Sequence, residues 1–89
     1  VRLSGARAAV SELDIRGLMT DEADLAVDQF LDSAVMGKLN VVTIIHGKGT
    51  GALRKAVHQQ LKRHPSVKSF RLGRYGEGED GVTVVELKG

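Results

Sequence analysis

The sequence contains no cysteine and only three aromatic residues, Phe30, Phe70 and Tyr75. Without cysteine the chain has no disulfide, no thiolate metal ligand and no thiol nucleophile. The scarcity of aromatic rings argues against modules that bind single-stranded nucleic acid mainly by base stacking. Because no apolar run approaches the roughly 20 residues that a membrane-spanning helix needs, we predict no membrane contact and a cytoplasmic location.

Length and composition allow one small globular domain. The chain has 89 residues, of which 42% are hydrophobic and 27% are charged, a balance typical of folded proteins and not of disordered ones. A domain of this size buries only about 60% of its unfolded surface, which predicts a single modest core. Because the chain begins at Val1, we expect a single domain excised from a longer protein, with residues 1–10 as a linker or N-terminal arm and residues 11–89 as the domain.

Positive and negative charges are separated along the chain, although the formal net charge is only +2. Residues 38–74 contain nine Lys and Arg and no Asp or Glu, whereas residues 1–37 contain seven acidic and three basic residues. An uncompensated basic segment creates a positive field that attracts a polyanion, most often a nucleic acid. The alternative is a solvated basic surface without a partner.

Hydrophobic periodicity predicts the element order βαβαββ. The first helix is predicted from Thr20, as its N-cap, to Gly37, and the second over residues 52–64, ended by Pro65. Strands are predicted at residues 11–17, 40–46, 67–72 and 82–87. A strand–helix–strand unit favours parallel strands with a right-handed crossover, while the last two strands can be antiparallel. The predicted fold class is therefore α/β, a two-layer sandwich with a mixed sheet and two helices.

The most informative segment is the run HGKGTG at residues 46–51, which leaves a buried strand and opens the second helix. It lies at the carboxyl edge of the predicted sheet, where open α/β sheets bind ligands. Its glycines allow close approach of the backbone, and free N–H groups at a helix start favour an anion such as phosphate. The spacing fits neither a Walker A loop nor the G-x-G-x-x-G pattern. A tight turn without a ligand is the alternative.

Four residues at this edge are candidates for catalysis: Asp14, Arg16, His46 and Lys48. If the first and second strands are parallel, they end at the same edge of the sheet, which would bring Asp14 and Arg16 towards His46 and Lys48. His46 can exchange a proton near neutral pH, and Arg16 and Lys48 can neutralise a phosphate in its transition state. Asp14 can either orient the imidazole or activate the nucleophile. The competing interpretations are a hydrogen-bonding structural histidine and an exposed ion pair worth about 0–1 kcal/mol.

The second helix presents a basic face, on which His58 and His64 are predicted to be ordinary members. No spacing of His, Asp or Glu matches a closed metal site, so no metal ligand is predicted. The residues predicted to bind nucleic acid are Gly47, Gly49, Thr50, Gly51, Arg54, Lys55 and Lys62. Sequence-specific recognition is not expected, because no helix is rich in the side chains that read base edges.

Three segments together resemble the Smr (small MutS-related) domain family: LDIRG at 13–17, HGKGTG at 46–51 and GVTVVEL at 81–87. The similarity spans about residues 12–88, and the first two segments look more like the branch attached to bacterial MutS-type proteins. Many members have His where this chain has Arg16, a departure that leaves His46 as the acid–base group near the loop. The segment GEGEDG at 76–81 is more acidic than the glycine-rich form expected of the family. It would either repel the nucleic-acid backbone locally or bind a cation.

The resemblance implies a fold similar to the C-terminal domain of translation initiation factor three and an activity of nicking or cutting nucleic acid. The substrate would be branched or structured DNA, or RNA, in recombination control or ribosome rescue. It also implies that Asp14, His46 and Lys48 belong to the active site and that Gly47, Gly49 and Gly51 shape a phosphate loop. The rest of a MutS-type chain would be the partner in cis and would carry ATP. A divalent cation such as Mg²⁺ stays open as a cofactor.

Two function classes therefore remain, and a third is less favoured. The first is an endonuclease module, and the second is a non-catalytic module that binds DNA, RNA or the ribosome. The third is an enzyme for a small phosphorylated ligand, which the short chain and the wide basic segment disfavour. The domain itself is expected to be monomeric.

Overall fold

A computed structural model describes residues 11–88, and the predicted linker or arm at residues 1–10 lies outside them. The strands are β1 (Glu12–Asp14), β2 (Val41–Ile45), β3 (Val67–Leu72) and β4 (Val82–Leu87). The helices are α1 (Thr20–Met36) and α2 (Ala52–Arg63), and a 3-10 turn (Glu79–Gly81) precedes β4. The predicted order βαβαββ and the α/β class are confirmed.

The four strands form one mixed sheet in the order β1-β2-β4-β3. β1 runs parallel to β2, whereas β4 is antiparallel to both β2 and β3. β3 is therefore parallel to β2, and the connection through α2 crosses over β4. Both crossovers proceed in the same direction across the sheet, so right-handed connections place both helices on one face. α1 and α2 pack against each other there.

The hydrophobic core lies between the two helices and the covered face of the sheet. On α1 its members recur at steps of three and four residues, as the helical period requires. The buried core residues are Ile15, Ala23, Val27, Phe30, Leu31, Ala34, Val42, Ile44, Val57, Leu61, Val85 and Leu87. On β2 the buried residues Val42 and Ile44 alternate with Val41, which is 52% exposed. β2 is therefore covered mainly on one face, and its β-branched run reflects strand propensity.

Element ends differ from the sequence prediction by a few residues. β1 stops at Asp14 because the chain then turns, with the N–H of Leu18 donating to the carbonyl of Ile15 at 3.1 Å. The N-cap of α1 is Met19 and not Thr20. The Glu22 carboxylate accepts a hydrogen bond from the Met19 N–H at 2.9 Å. A residue in the first turn of α1 thus provides the partner for the N–H of the N-cap residue. Among residues 11–88, neither helix has the length and apolarity to cross a bilayer.

Candidate active site

The carboxyl ends of β1 and β2 bring the predicted catalytic side chains to one edge of the sheet. The parallel register pairs Asp14 with Ile45, the residue before His46. The N–H of Ile15 donates to the carbonyl of Ile45 at 2.9 Å and continues the pairing beyond β1. The segment after β1 and the glycine loop after β2 are therefore neighbours, as the parallel arrangement predicts.

Two glycines of the 46–51 loop let arginine side chains approach its backbone. Gly47 has φ +80°, and a Cβ added there would lie 3.3 Å from Cγ of Arg16. Gly51 has φ +86° and is the N-cap of α2; a Cβ there would lie 2.9 Å from Nη2 of Arg54. Both conformations are in the left-handed region that favours glycine. Arg16 and Arg54 thus lie against the same loop, close to two of its glycines.

The loop forms one wall of an open cleft of about 390 Å³. Arg16, Lys48 and Arg54 contribute three positive charges to it, and α2 begins at its wall. Its lining includes eight of the predicted site residues: Arg16, His46, Gly47, Lys48, Gly49, Thr50, Gly51 and Arg54. Asp14 is not in the lining and reaches it only through Arg16. Lys55 and Lys62 are exposed residues farther along α2.

Asp14 and Arg16 form a close ion pair beside the cleft. The Arg16 guanidinium donates from Nη2 to Oδ2 at 2.7 Å and from Nε to Oδ1 at 3.0 Å, and the Arg16 backbone N–H donates to Oδ1 at 3.0 Å. These hydrogen bonds to Arg16, side chain first and backbone second, lower the pKa of the Asp14 carboxyl from 3.8 to about 2. Asp14 is thus a carboxylate at neutral pH, and its partner is Arg16, not the imidazole of His46.

The Asp14–Arg16 pair predicts a pH dependence that nuclear magnetic resonance can follow. Folding lowers the pKa of Asp14, so the pair contributes stability above the ordinary carboxyl pKa of 3.8 and loses it as the pH falls through about 2. We expect the Asp14 carboxyl to titrate near pH 2 in the wild type and at a higher pH in Arg16→Gln, which removes the guanidinium but keeps the backbone hydrogen bond. Arg54→Gln, which removes a different cation from the cleft, should leave the wild-type midpoint. A midpoint near 2 in Arg16→Gln would contradict the assignment.

His46 is buried in the wall of the cleft, at 4% exposure. Its Nδ1 lies 2.9 Å from the carbonyl oxygen of Gly47, and its Nε2 lies 2.8 Å from Oγ1 of Thr83. The backbone N–H groups of His46 and Gly47 both donate to the carbonyl of Gly81, at 3.1 and 2.8 Å. Both ring nitrogens therefore have partners, and the start of the loop is fixed to the start of β4.

Two histidines of the basic segment are not ordinary members of an exposed face. His58 is half-buried, with Nε2 at 2.8 Å from Oγ1 of Thr83 and its ring centroid 4.9 Å from that of Phe70. The His64 side chain is only 9% exposed. Its Nδ1 accepts a hydrogen bond from the Ser66 N–H at 3.1 Å. The basic-face prediction is wrong for both, because each side chain turns towards the body of the domain.

The acidic segment before β4 faces the cations of the cleft. The Lys48 ammonium lies 3.5 Å from Asp80 and 3.9 Å from Glu79, and Arg54 lies 3.9 Å from Asp80. A Cβ added at Gly81 would lie 3.6 Å from Cγ of Lys48, so the two loops are in contact. Carboxylates of the chain itself thus occupy the neighbourhood of two cleft cations.

Residues 11–88 contain no group of three or more His, Asp or Glu side chains arranged to hold a metal ion. The carboxylates of Asp14 and Asp80, beside the cleft, face cationic side chains instead. These donors do not fit a resident divalent cation.

The family model of the Smr domain matches residues 13–88, which include both strand ends, the glycine loop and β4. The chain belongs to the Smr domain family. Similar curated relatives are named Endonuclease MutS2. That of Clostridium beijerinckii is 63% identical over 79 residues, which cover 89% of this chain and 10% of the relative. That of Ruminiclostridium cellulolyticum is 56% identical over 88 residues, covering 99% and 11% respectively. This Smr domain spans about a tenth of the length of these relatives.

Solved Smr structures share the fold. The Smr domain of Thermus thermophilus MutS2 is 49% identical and superposes with a TM-score of 0.87. The match covers 90% of this chain and all of that one. YdaL of Escherichia coli, a stand-alone small MutS-related protein, is 25% identical with a TM-score of 0.85. That match covers 89% of this Smr domain and 65% of YdaL. The resemblance seen in the three sequence segments is confirmed.

Proposed function

We propose that this Smr domain is an endonuclease module that hydrolyses phosphodiester bonds in branched or structured nucleic acid. The observation that carries the proposal is the convergence of Arg16, Lys48 and Arg54 on one open cleft at the start of α2. A phosphodiester is an anion, and cations with helix-start N–H groups are the donors that stabilise its charge. The name shared by the similar MutS2 relatives agrees with this chemistry.

The cleft is small, but the basic surface extends beyond it. Lys55 and Lys62 are exposed on α2, and within residues 11–88 no carboxylate lies within ion-pair distance of either one. Lys and Arg contacts to phosphates give affinity that depends on salt and not on base sequence. We therefore assign Lys55 and Lys62 to holding the polymer and the cleft to holding the phosphate that is cut.

The proposed reaction is attack by water on the bound phosphate. A bond forms between the water oxygen and phosphorus, and the bond from phosphorus to one sugar oxygen breaks. The attacking water releases a proton to the solvent, and the leaving sugar oxygen takes up a proton from the solvent. Arg16 and Lys48 stabilise the charge that develops on the phosphoryl oxygens. Asp14 holds Arg16 in place by the hydrogen bonds described above. His46 lies in the cleft wall, but the Gly47 carbonyl and the Thr83 hydroxyl occupy both of its ring nitrogens. We therefore assign His46 to holding the glycine loop, in place of the proton transfer expected from the sequence.

In a longer MutS-type chain, we propose that an ATP-binding part acts in cis and delivers this module. Its targets would be branched DNA in recombination control or ribosomes in ribosome rescue. A domain that holds phosphates through Lys and Arg suits such targets, since phosphate contacts do not depend on base sequence.

The test is cleavage of labelled branched DNA and labelled structured RNA by the domain, with either EDTA or Mg²⁺. Product is expected from the wild type and not from an Asp14→Asn/His46→Ala double variant purified in parallel, which controls for contaminating nucleases. The polymer that is cut identifies the substrate, and the EDTA arm decides whether a metal is needed. Salt-sensitive binding by both proteins without product from either would overturn the nuclease proposal in favour of a non-catalytic binding module.

A further inference from the structure

A chain of hydrogen bonds joins the cleft to a second histidine, which lies on α2. It runs from the Gly47 carbonyl through His46 and the Thr83 hydroxyl to His58, with distances of 2.9, 2.8 and 2.8 Å. Thr83 is fully buried, and the His46 and His58 rings meet edge to face with centroids 6.2 Å apart. Neither Thr83 nor His58 lines the cleft.

The chemistry of the four groups fixes where the protons lie when both histidines are neutral. A carbonyl oxygen only accepts, so Nδ1 of His46 carries a hydrogen and its Nε2 is an acceptor. The single hydroxyl hydrogen of Thr83 must then point to His46. Oγ1 of Thr83 is left to accept from His58, whose Nε2 carries the hydrogen.

The surroundings of His58 favour its neutral form. Burial lowers the pKa of His58 below the usual 6.5, and the nearby groups His46, Arg54 and Lys62 lower it further. Phe70, which packs on the ring from β3, offers no charge to offset them. His58 is therefore neutral at neutral pH, and with a neutral His46 beside it the proton order is the one derived from the four groups.

We propose that Thr83 and His58 are positioning residues that hold His46 in one tautomer and so fix the Gly47 carbonyl at the wall of the cleft. The Gly47–Lys48 peptide is trans, so its N–H points away from its carbonyl. Binding the carbonyl to His46 turns the Lys48 N–H away from the imidazole and sets the course of the loop towards Lys48. The effect on cleavage rests on the proposed function, whereas the tautomers do not.

The test combines ring-nitrogen NMR with cleavage by the Thr83→Val and Thr83→Ser variants. Valine keeps the shape of threonine in a strand and removes the hydroxyl, whereas serine keeps the hydroxyl. At neutral pH the wild type should show a hydrogen on Nδ1 of His46 and on Nε2 of His58. In Thr83→Val, the hydrogen of His58 should no longer favour Nε2. The cleavage rate should fall about tenfold, because Nε2 of His46 and Nε2 of His58 both lose their hydrogen-bond partner. Thr83→Ser should retain the wild-type tautomers and rate.

If Thr83→Val shows no cooperative unfolding in urea, it is not natively folded, and His58→Leu is used in its place. It should lower the cleavage rate while leaving the hydrogen on Nδ1 of His46. A wild-type His46 with its hydrogen on Nε2 would overturn the proposal, as would wild-type tautomers and cleavage in Thr83→Val. If the wild type cuts no nucleic acid, the nuclease function fails, and the ring-nitrogen spectra alone decide the present proposal.

Discussion

Replacing Lys48 by Met should slow cleavage by about 100- to 1000-fold at saturating nucleic acid, the loss typical of removing one preorganised charge from a transition state. Lys48 lines the cleft as part of the glycine loop. Hydrolysis places extra negative charge on the phosphoryl oxygens, so the Lys48 ammonium interacts more strongly with the transition state than with the bound substrate. Met keeps the length and apolar stem of the side chain, so the loop should keep its course. Single-turnover cleavage at saturation measures the effect.

Lys55→Met is the matched control, since it removes the same charge from an exposed position of α2 outside the cleft lining. Each variant should weaken binding a few-fold and reduce the slope of log affinity against log salt by about one, the value for one phosphate contact. Only Lys48→Met should lower the saturated rate. Equal rate losses in the two variants would contradict a catalytic position for Lys48 and leave it as one cation among several.

The convergence on the cleft can be predicted from the sequence because it follows from chain order. A strand–helix–strand unit with parallel strands places the end of β1 beside the end of β2. The residues after those strands, Arg16 and the 46–51 loop, then meet without any further information. The glycines of the loop signal close approach of other groups, and Arg16 and Arg54 do lie against Gly47 and Gly51.

The hydrogen-bond partners of His46 could not be predicted in the same way, because they depend on where β4 and α2 pack relative to β2. Thr83 is 37 residues from His46, and the sheet brings them together only because β4 inserts beside β2. One signal was present: Thr83 shares the covered face of β4 with Val85 and Leu87. A hydroxyl at such a position needs a buried partner.

The charge pattern places His58 on the wrong surface, because charge pattern alone does not resolve the edge of a helix face. It follows the buried Val57 directly and stands four residues after Arg54, so it lies at the border between the covered and exposed sides of α2. The ion pair of Asp14 is a similar case. Two charged residues alternating on one strand face indicate proximity, but not that Arg16 occupies both carboxylate oxygens of Asp14.

The acidic segment before β4 lies where its carboxylates compete with a phosphate. Asp80 is 3.5 Å from the Lys48 ammonium and 3.9 Å from the Arg54 guanidinium, and Glu79 is 3.9 Å from Lys48. All four side chains are at least one-third exposed, so each pair is worth about 0–1 kcal/mol. A bound phosphate must nevertheless approach the same cations against two negative charges.

The double variant Glu79→Gln/Asp80→Asn should therefore bind nucleic acid about tenfold more tightly at low salt. The variant lacks three ion-pair contacts of under about 1 kcal/mol each that a phosphate must otherwise displace, and it also lacks the repulsion between the two carboxylates and the phosphate. The gain should shrink as the salt concentration rises, because exposed charges are screened over about 10 Å at 0.1 M. Fluorescence anisotropy of a labelled branched DNA and a labelled structured RNA, measured over a series of salt concentrations, checks both parts.

Net charge alone would also tighten binding, so the control must remove two carboxylates elsewhere. Asp24→Asn/Asp32→Asn makes the same change in charge on exposed positions of α1, outside the cleft. A larger gain in the Glu79/Asp80 variant than in this control would place the competition at Lys48 and Arg54. Equal gains would mean that the carboxylates act only through the overall field. An unchanged affinity in the Glu79/Asp80 variant would mean that nucleic acid does not contact Lys48 and Arg54. That result would contradict the proposal that the cleft binds a phosphate.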